Sequence, residues 1–531
     1  MTRLVLGPLL RHVDDRAATV WVETEQPCEV RVLDSTAHTF TVHGHHYALV
    51  EIDGLEPGSD TPYEVALDGE KVWPEPESNF PPSRIRTIDP RDELRIAFGS
   101  CRRSPAAETA YGVDTLIAYA HRLADGGESV NWPSVLLMIG DQVYADELGD
   151  KMRKFITERR GDEAPEGELS DFEEYCHLYQ LAWGEDEAVR WLLSTVPSLM
   201  IFDDHDIRDD WNTSHTWRQE MWSQPWWEKR IVGGLGTYWI YQHLGNLSAK
   251  DRAEDPLYAK LRAAGDGGEL LDEFAECADK SPETTRWSYA HDYGDTRLIV
   301  VDSRSSRVLT PDRRAMLDDG ELTWFEEQCA GDFDHLLIGS SLPYLLPASI
   351  HHAEAWNEGV AEGAWGRRAA RLGEKIRQGA DLEHWAAFER SFRTVAEDII
   401  KVAGREQGSA PASIAFLSGD VHYSYLARVT APSIGTPVSQ VVCSPLRNPL
   451  ERKFKFAQKL ACNGVLTGML RSLARSAKVP RPPLRWRITK GPWFDNAIAT
   501  VKISGRVSMV IWETPDADTS LTELGRAELS A

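Results

Sequence analysis

The chain has 531 residues, with 83 acidic side chains against 58 basic ones and a formal charge of −25. That length is too great for one small core and predicts two or more domains, or one large domain with an accessory one. The negative balance excludes a general nucleic-acid binder, which needs a positive surface, and it repels phosphate substrates unless the site brings its own cations.

Alternating apolar residues at Ala18–Val22, Val30–Leu33, Phe40–Val42 and Ala48–Ile52 predict short strands, hence a small all-β module over residues 1–90. Within it, the segment Gly54–Gly69 is similar to fibronectin type III and immunoglobulin-like sandwiches, in which a tyrosine follows a Leu-x-Pro-Gly turn; Tyr63 would be that structural corner. A proline-rich connector, Trp73–Ser83, leads to a second domain over residues 91–515, where apolar strands alternate with helical patterns. Helical spacing runs through Thr115–Leu123 and through Trp385, Phe388, Phe392, Val395, Ile399 and Val402. Residues 497–503 and 507–512 flank Gly505 as a closing hairpin.

Four of the apolar strands end in groups able to bind a metal. Leu94–Phe98 runs into Gly99, Ser100, Cys101 and Arg102; Val135–Ile139 into Gly140, Asp141, Tyr144 and Asp146; Leu199–Phe202 into Asp203, Asp204, His205 and Asp206; Ile414–Leu417 into Asp420 and His422. Buried strands present ligands at their carboxyl ends, and thiol, phenol, carboxylate and imidazole together suit a metal site. Two other stretches stand out. Five tryptophans lie between Trp211 and Trp227, either a packed insertion roofing the site or a substrate platform. Residues 447–490 hold 12 Lys or Arg against one acid, Glu451. There Leu460, Val465, Leu466, Leu470 and Leu473 lie near helical spacing among Lys459, Arg471, Arg475 and Lys478, the pattern of an amphipathic helix with a cationic face. Such a helix serves as a packed surface element, a lid over the site, or a contact to an anionic surface.

Seven cysteines at scattered spacings without a C-x-x-C pair favour a reducing compartment. The amino terminus has an apolar run broken by Pro8, without a cleavage site or twin-arginine leader, and no run reaches the length of a membrane span. The expectation is a cytoplasmic protein without a transmembrane segment.

The motifs FGSC (98–101), GDQVYAD (140–146), DDHD (203–206), VDSRSSR (301–307) and GDVHYS (419–424) resemble, in order, those of the alkaline phosphatase D (PhoD) family of metallophosphatases, within the calcineurin-like phosphoesterase superfamily. The resemblance implies an α/β fold with a mixed β-sandwich flanked by helices, behind the amino-terminal all-β sandwich. It implies Asp141 bridging two metals roughly 3.5 to 4 Å apart, with Cys101, Tyr144 and His422 completing an iron site and Asp204 and Asp420 a calcium site. His205 would face the substrate, stabilising phosphorane-like charge or protonating the leaving oxygen. Arg102, Arg304 and Arg307 are candidates to clamp phosphate oxygens. The superfamily histidine expected between the DDHD and GDVH motifs has no obvious counterpart, since Ser340 and Ser341 end the strand there. The expected activity is hydrolysis of phosphate monoesters, diesters or both, by metal-activated hydroxide. The alternatives are a diesterase for teichoic acid or phospholipid head groups, and a binding protein that retains the fold.

Overall fold

A computed structural model describes residues 2–104, 109–126, 131–310, 313–404, 409–430, 435–450, 455 and 464–530. The first 85 or so residues form two antiparallel sheets facing one another. One pairs Leu4–Val13, Ala18–Thr24, His45–Ile52 and Phe40–Val42; the other pairs Ser35–His38, Glu29–Val32, Val65–Leu67 and Glu70–Trp73. Side chains alternate across a strand, so Val20, Val22, Val30, Val32, Val50 and Val65 fill the space between the sheets. The alternate residues Trp21, Tyr47 and Leu49 point the other way, into the core of the remaining chain. The strand Ala18–Thr24 is thereby buried on both faces.

Polar contacts fix this junction. Arg11, fully buried, donates to the carbonyls of Ser198, Tyr241 and Gln242 and to Asn246 Oδ1 at 2.7–3.1 Å. Tyr63 donates its hydroxyl to the carbonyl of Ser194 at 2.5 Å, so the corner tyrosine holds the module to its neighbour. His45 lies between Glu23 (3.0 Å) and Glu173 (2.8 Å), and His43 meets Asp272 at 3.0 Å.

Beyond the connector two mixed sheets stack. The six-stranded sheet runs Ser198–Ile201, Val135–Ile139 and Leu94–Gly99, all parallel, then Ile498–Ser504, Val507–Pro515 and Leu521–Glu528, antiparallel. Its last strand lies beyond the expected boundary at residue 515. In the seven-stranded sheet the parallel strands are Thr296–Val301, His335–Ser340, Ser413–Ser418 and Val438–Val442. Leu137 and Ile139 of one sheet meet Val300 and Leu337 of the other, and a Cβ on Gly339 would stand 3.3 Å from Ile139. The outer face of the second sheet, with Ile299, Ile338 and Phe416, is covered by Phe392, Val395 and Ile399 of the helix Glu389–Ala403. The predicted helix from Trp385 is broken at Phe388, where a single turn, Trp385–Ala387, gives way to it.

The tryptophan cluster is a packed insertion. Trp211, Trp217 and Trp227 are buried and Trp217 meets Trp227 edge to face at 5.6 Å, whereas Trp222 is exposed. In the basic stretch the helix Gly464–Ser476 packs on Ala348–Ala361, with Arg471, Arg475 and Lys478 exposed. Lys459 and Leu460 lie outside the described residues. No described helix is long and apolar enough to cross a membrane.

The junction carries a pH dependence. Burial alone would lower the His45 pKa, but hydrogen bonds to Glu173 and Glu23 outweigh it and raise it from 6.5 to about 9. A raised folded-state pKa stabilises fully below the unfolded value and is lost as pH rises through the folded one. Thermal unfolding of wild type and His45→Gln should therefore differ by a few degrees near pH 6 and converge above pH ~9. A constant gap across that range would show that the charge of His45 is not what holds the junction.

Candidate metal centre

Parallel strands bring their carboxyl ends to one edge, and the two stacked sheets bring those edges together. Within each sheet the ends are tied by Cys101 N–H to Gly140 O (3.2 Å) and by Gly419 N–H to Ser341 O (2.9 Å), and across the stack by Leu446 N–H to Ser100 O (2.7 Å). The chain must then turn sharply: Cys101, Asp141, Asp420 and His422 all have φ between 51° and 64°, a region costly for residues with a Cβ. Gly140, at φ 102°, allows the close approach of Asp203, whose Cβ would lie 2.9 Å from any Cβ there.

Two donor groups result. Cys101, Asp141 and His422 each offer a ligand atom within 4.8 Å of the others, and so do Asp141, Asp203 and Asp204; Asp141 belongs to both. The Cys101 thiol, fully buried, lies 3.2 Å from Asp141 Oδ2 and 3.3 Å from the hydroxyls of Ser100 and Ser444. Burial and the carboxylates of Asp141 and Asp420 push its pKa up. Burial and the neighbouring Asp203 likewise raise Asp141, and burial lowers His422, leaving it a neutral imidazole fit to ligate. Among the described residues, Asp141 Oδ1, Asp203 Oδ2 and Asp204 Oδ1 are buried without a hydrogen-bond partner, Asp204 Oδ1 having Arg304 Nη2 at 3.3 Å as an ion pair. Oxygens left so are expensive unless a cation meets them. Tyr144 is buried, accepts from Asn448 Nδ2 at 3.2 Å, and stacks at a tilt on His205 with centroids 4.7 Å apart.

His205 donates from Nδ1 to Asp146 Oδ1 at 2.9 Å and points Nε2 toward Asp209, 3.9 Å away. Burial works against its charge, but Asp146 and Asp204 prevail and raise its pKa well above the ordinary value. Asp206 is scaffold: Oδ2 accepts from the Asp203 N–H (2.9 Å), closing the DDHD turn.

The arginines need correction. Arg102 is enclosed, with Nε on Asp114 Oδ2 (3.0 Å) and Nη1 on Ala182 O (2.9 Å). Arg307 spends its donors on Ser303 O, Asn212 O and Glu383. Arg304, with no exposed surface, pairs with Asp203 and Glu383 and lies 3.3 Å from Asp204. Guanidinium groups so used balance buried carboxylates and are not free to clamp phosphate. The ligand set implied by the resemblance leaves out Asp203, although the strand-end pattern includes it, and the sequence assigns neither a partner to His205, which is Asp146, nor a role to Glu383. Asp203 and Asp146 were signalled by their places in the DDHD and GDQVYAD motifs; Glu383 had no local signal.

The PhoD-like phosphatase family model matches residues 118–461, and the chain belongs to that family. It is accordingly a phosphoric ester hydrolase, of a family whose members depend on metal ions. A family described as a domain of unknown function, DUF7800, matches residues 1–85. Among solved structures, one described as "Structure of PhoD" superposes with a TM-score of 0.58 at 12% identity, covering 99% of this chain and 88% of that one, a likeness of fold. No curated protein matches the sequence.

Close packing at the strand ends is testable through Gly419. A Cβ there would lie 2.0 Å from Ser100 Oγ, which itself accepts from the Asp420 N–H at 3.1 Å. Gly419→Ala should cost about 1–3 kcal/mol and displace Asp420, lowering both the unfolding temperature and activity. Gly435→Ala, where no described atom lies within 4 Å, should change neither.

Proposed function

We propose that the chain hydrolyses phosphate monoesters and diesters at a two-cation site bridged by Asp141. The observation that carries this reading is the sharing of Asp141 between two donor groups, with one of its buried oxygens unpartnered. Cys101, Tyr144 and His422 beside a carboxylate form a mixed sulfur, phenol and nitrogen donor set, which suits iron. Asp203, Asp204 and Asp420 offer oxygen alone, which suits calcium. Cys101, Asp141 and His422, and likewise Asp141, Asp203 and Asp204, bring ligand atoms within 4.8 Å of one another, which supports the fit to such ions; Tyr144 and Asp420 join them on the resemblance. When bound, the cations would supply Lewis acidity toward the phosphoryl oxygens and a water of lowered pKa.

The protein's own part is positioning and proton transfer. Asp146 fixes the ring of His205 through Nδ1, which leaves Nε2 to hold a proton for the departing alcohol oxygen or to stabilise charge on the phosphoryl group. Asp146, which is not among the proposed ligands, favours the protonated ring. The cationic face of Gly464–Ser476 is the favoured candidate for a lid or a guide that draws anionic esters past the negative shell.

Three variants test the assignment. Purified protein should absorb in the visible, and Cys101→Ala should lose that band together with hydrolysis of p-nitrophenyl phosphate and its bis ester. A colourless, iron-free yet fully active preparation would overturn the iron site. Asp141→Asn should be inactive and poor in both metals. His205→Ala should keep its metals and lose kcat by about 10² to 10⁴; if it is instead stripped of metal like Asp141→Asn, His205 is a ligand and its assigned role is wrong. Wild type with bound metals but no turnover of either ester would favour the binding-protein alternative.

A further inference from the structure

Where the sequence places Ser340 and Ser341 at a strand end in lieu of a histidine, the fold supplies one from another direction. The segment between the helix Arg367–Gly379 and the turn Trp385–Ala387 carries His384 against Asp420. Nε2 of His384 lies 2.9 Å from Asp420 Oδ2, and Nδ1 lies 2.9 Å from Oε1 of Glu354, on the helix Ala348–Ala361. The three side chains are 12%, 18% and 1% exposed. The segment is anchored on both sides of the ring. Glu383 accepts from Thr213 Oγ1 at 2.6 Å and pairs with Arg304 and Arg307; Trp385 is buried, its ring 5.4 Å from that of Tyr344.

Ionised carboxylates only accept hydrogen bonds. With both ring nitrogens engaged by carboxylate oxygens at 2.9 Å, the ring has no nitrogen left for a metal. Its effect is on Asp420. With Oδ2 taken by His384, Oδ1 is left 3.9 Å from Arg304 Nη2, the same nitrogen that lies 3.3 Å from Oδ1 of Asp204. Both oxygens thus lie around one corner of the Arg304 guanidinium, and each carboxylate has its other oxygen already engaged, in Asp204 by the Asp210 N–H at 3.0 Å.

We propose that His384, braced by Glu354, is a positioning residue for the second cation, holding Asp420 so that it presents a single oxygen. The inference rests on the reading of Asp420 as a ligand. Partners of this kind behind a ligand commonly govern 10- to 100-fold in metal affinity or activity.

The test uses the iron-containing protein depleted of calcium with a selective chelator, titrated with calcium alone and followed by calorimetry and by the rise in unfolding temperature. His384→Ala should weaken calcium binding by about 10- to 100-fold and leave the visible iron band unchanged. His384→Gln, whose amide keeps a donor within reach of Asp420, should recover most of that loss. Glu354→Gln should give a smaller loss, and it carries the test alongside His384→Gln if the alanine variant fails to fold. Wild-type affinity in His384→Ala would overturn the proposal, and so would equal losses in the Ala and Gln variants, which mark a merely structural residue. Absence of saturable calcium binding in wild type, or unchanged binding in Asp141→Asn, would instead overturn the second-cation reading, and this inference with it.

Discussion

The site depends on how its buried negative charge is balanced. Asp141, Asp203 and Asp204 share one sheltered space with Asp420 at its edge, and burial raises the pKa of the first three. Carboxylates so placed either protonate or find cations. Arg304 answers part of the demand from within the protein, reaching Asp203 and Asp204 while Glu383 holds its other side. Glu383 in turn needs Arg307 and Thr213. Breaking such a chain strands a buried charge, which costs more than the pair contributes. Arginines bound into this network are therefore part of the cradle, and the oxygens it leaves unpartnered face the place where external cations belong.

The backbone makes the cradle achievable. Parallel strands align their carboxyl ends, and two sheets packed through Leu137, Ile139, Val300 and Leu337 set those ends opposite each other. To aim inward from a strand end, a side chain must leave the strand direction at once, and the left-handed φ of Cys101, Asp141, Asp420 and His422 does this. Each costs energy that the bonds around the strand ends offset, among them Cys101 N–H to Gly140 O within one sheet, Gly419 N–H to Ser341 O within the other, and Leu446 N–H to Ser100 O between them. Strain of this kind falls at four expected ligands, and also at turns outside the site such as Leu33, Asp68 and Thr519.

Much of this was legible in the sequence because the relevant signals are local. An apolar run that stops at Gly-Asp or Asp-Asp marks both a buried strand and its functional end, and alternation marked the strands of the first module. The strand Ala18–Thr24 shows the limit: its alternating faces enter two different cores, so Trp21 serves the junction and Val20 and Val22 the sandwich. What escaped was set by distant contact. His384 carries no motif, and the packing of its segment against the Asp420 turn and the helix Ala348–Ala361 gives it its partners. The arginines failed for the converse reason, since their sequence neighbourhood says nothing of Asp114, Ala182 or Glu383, which absorb their donors.

The helix Ala348–Ala361 joins the charge-balanced site to the one strongly basic stretch. Glu354 on it braces His384, while His352 lies 3.4 Å from Arg471 of the helix Gly464–Ser476. Residues two apart on a helix point to nearly opposite sides, so this helix stands between the acidic cradle and the cationic one. Its own width, about 10 Å with side chains, separates the two. That distance is close to the Debye length of about 8 Å at physiological ionic strength. Arg471, on the side of this helix away from Glu354 and His384, is not placed to replace the cations that the cradle requires. The division of labour follows from charge: a chain carrying −25 needs positive potential outside its site to admit an anion, and needs compact cations inside it to react one.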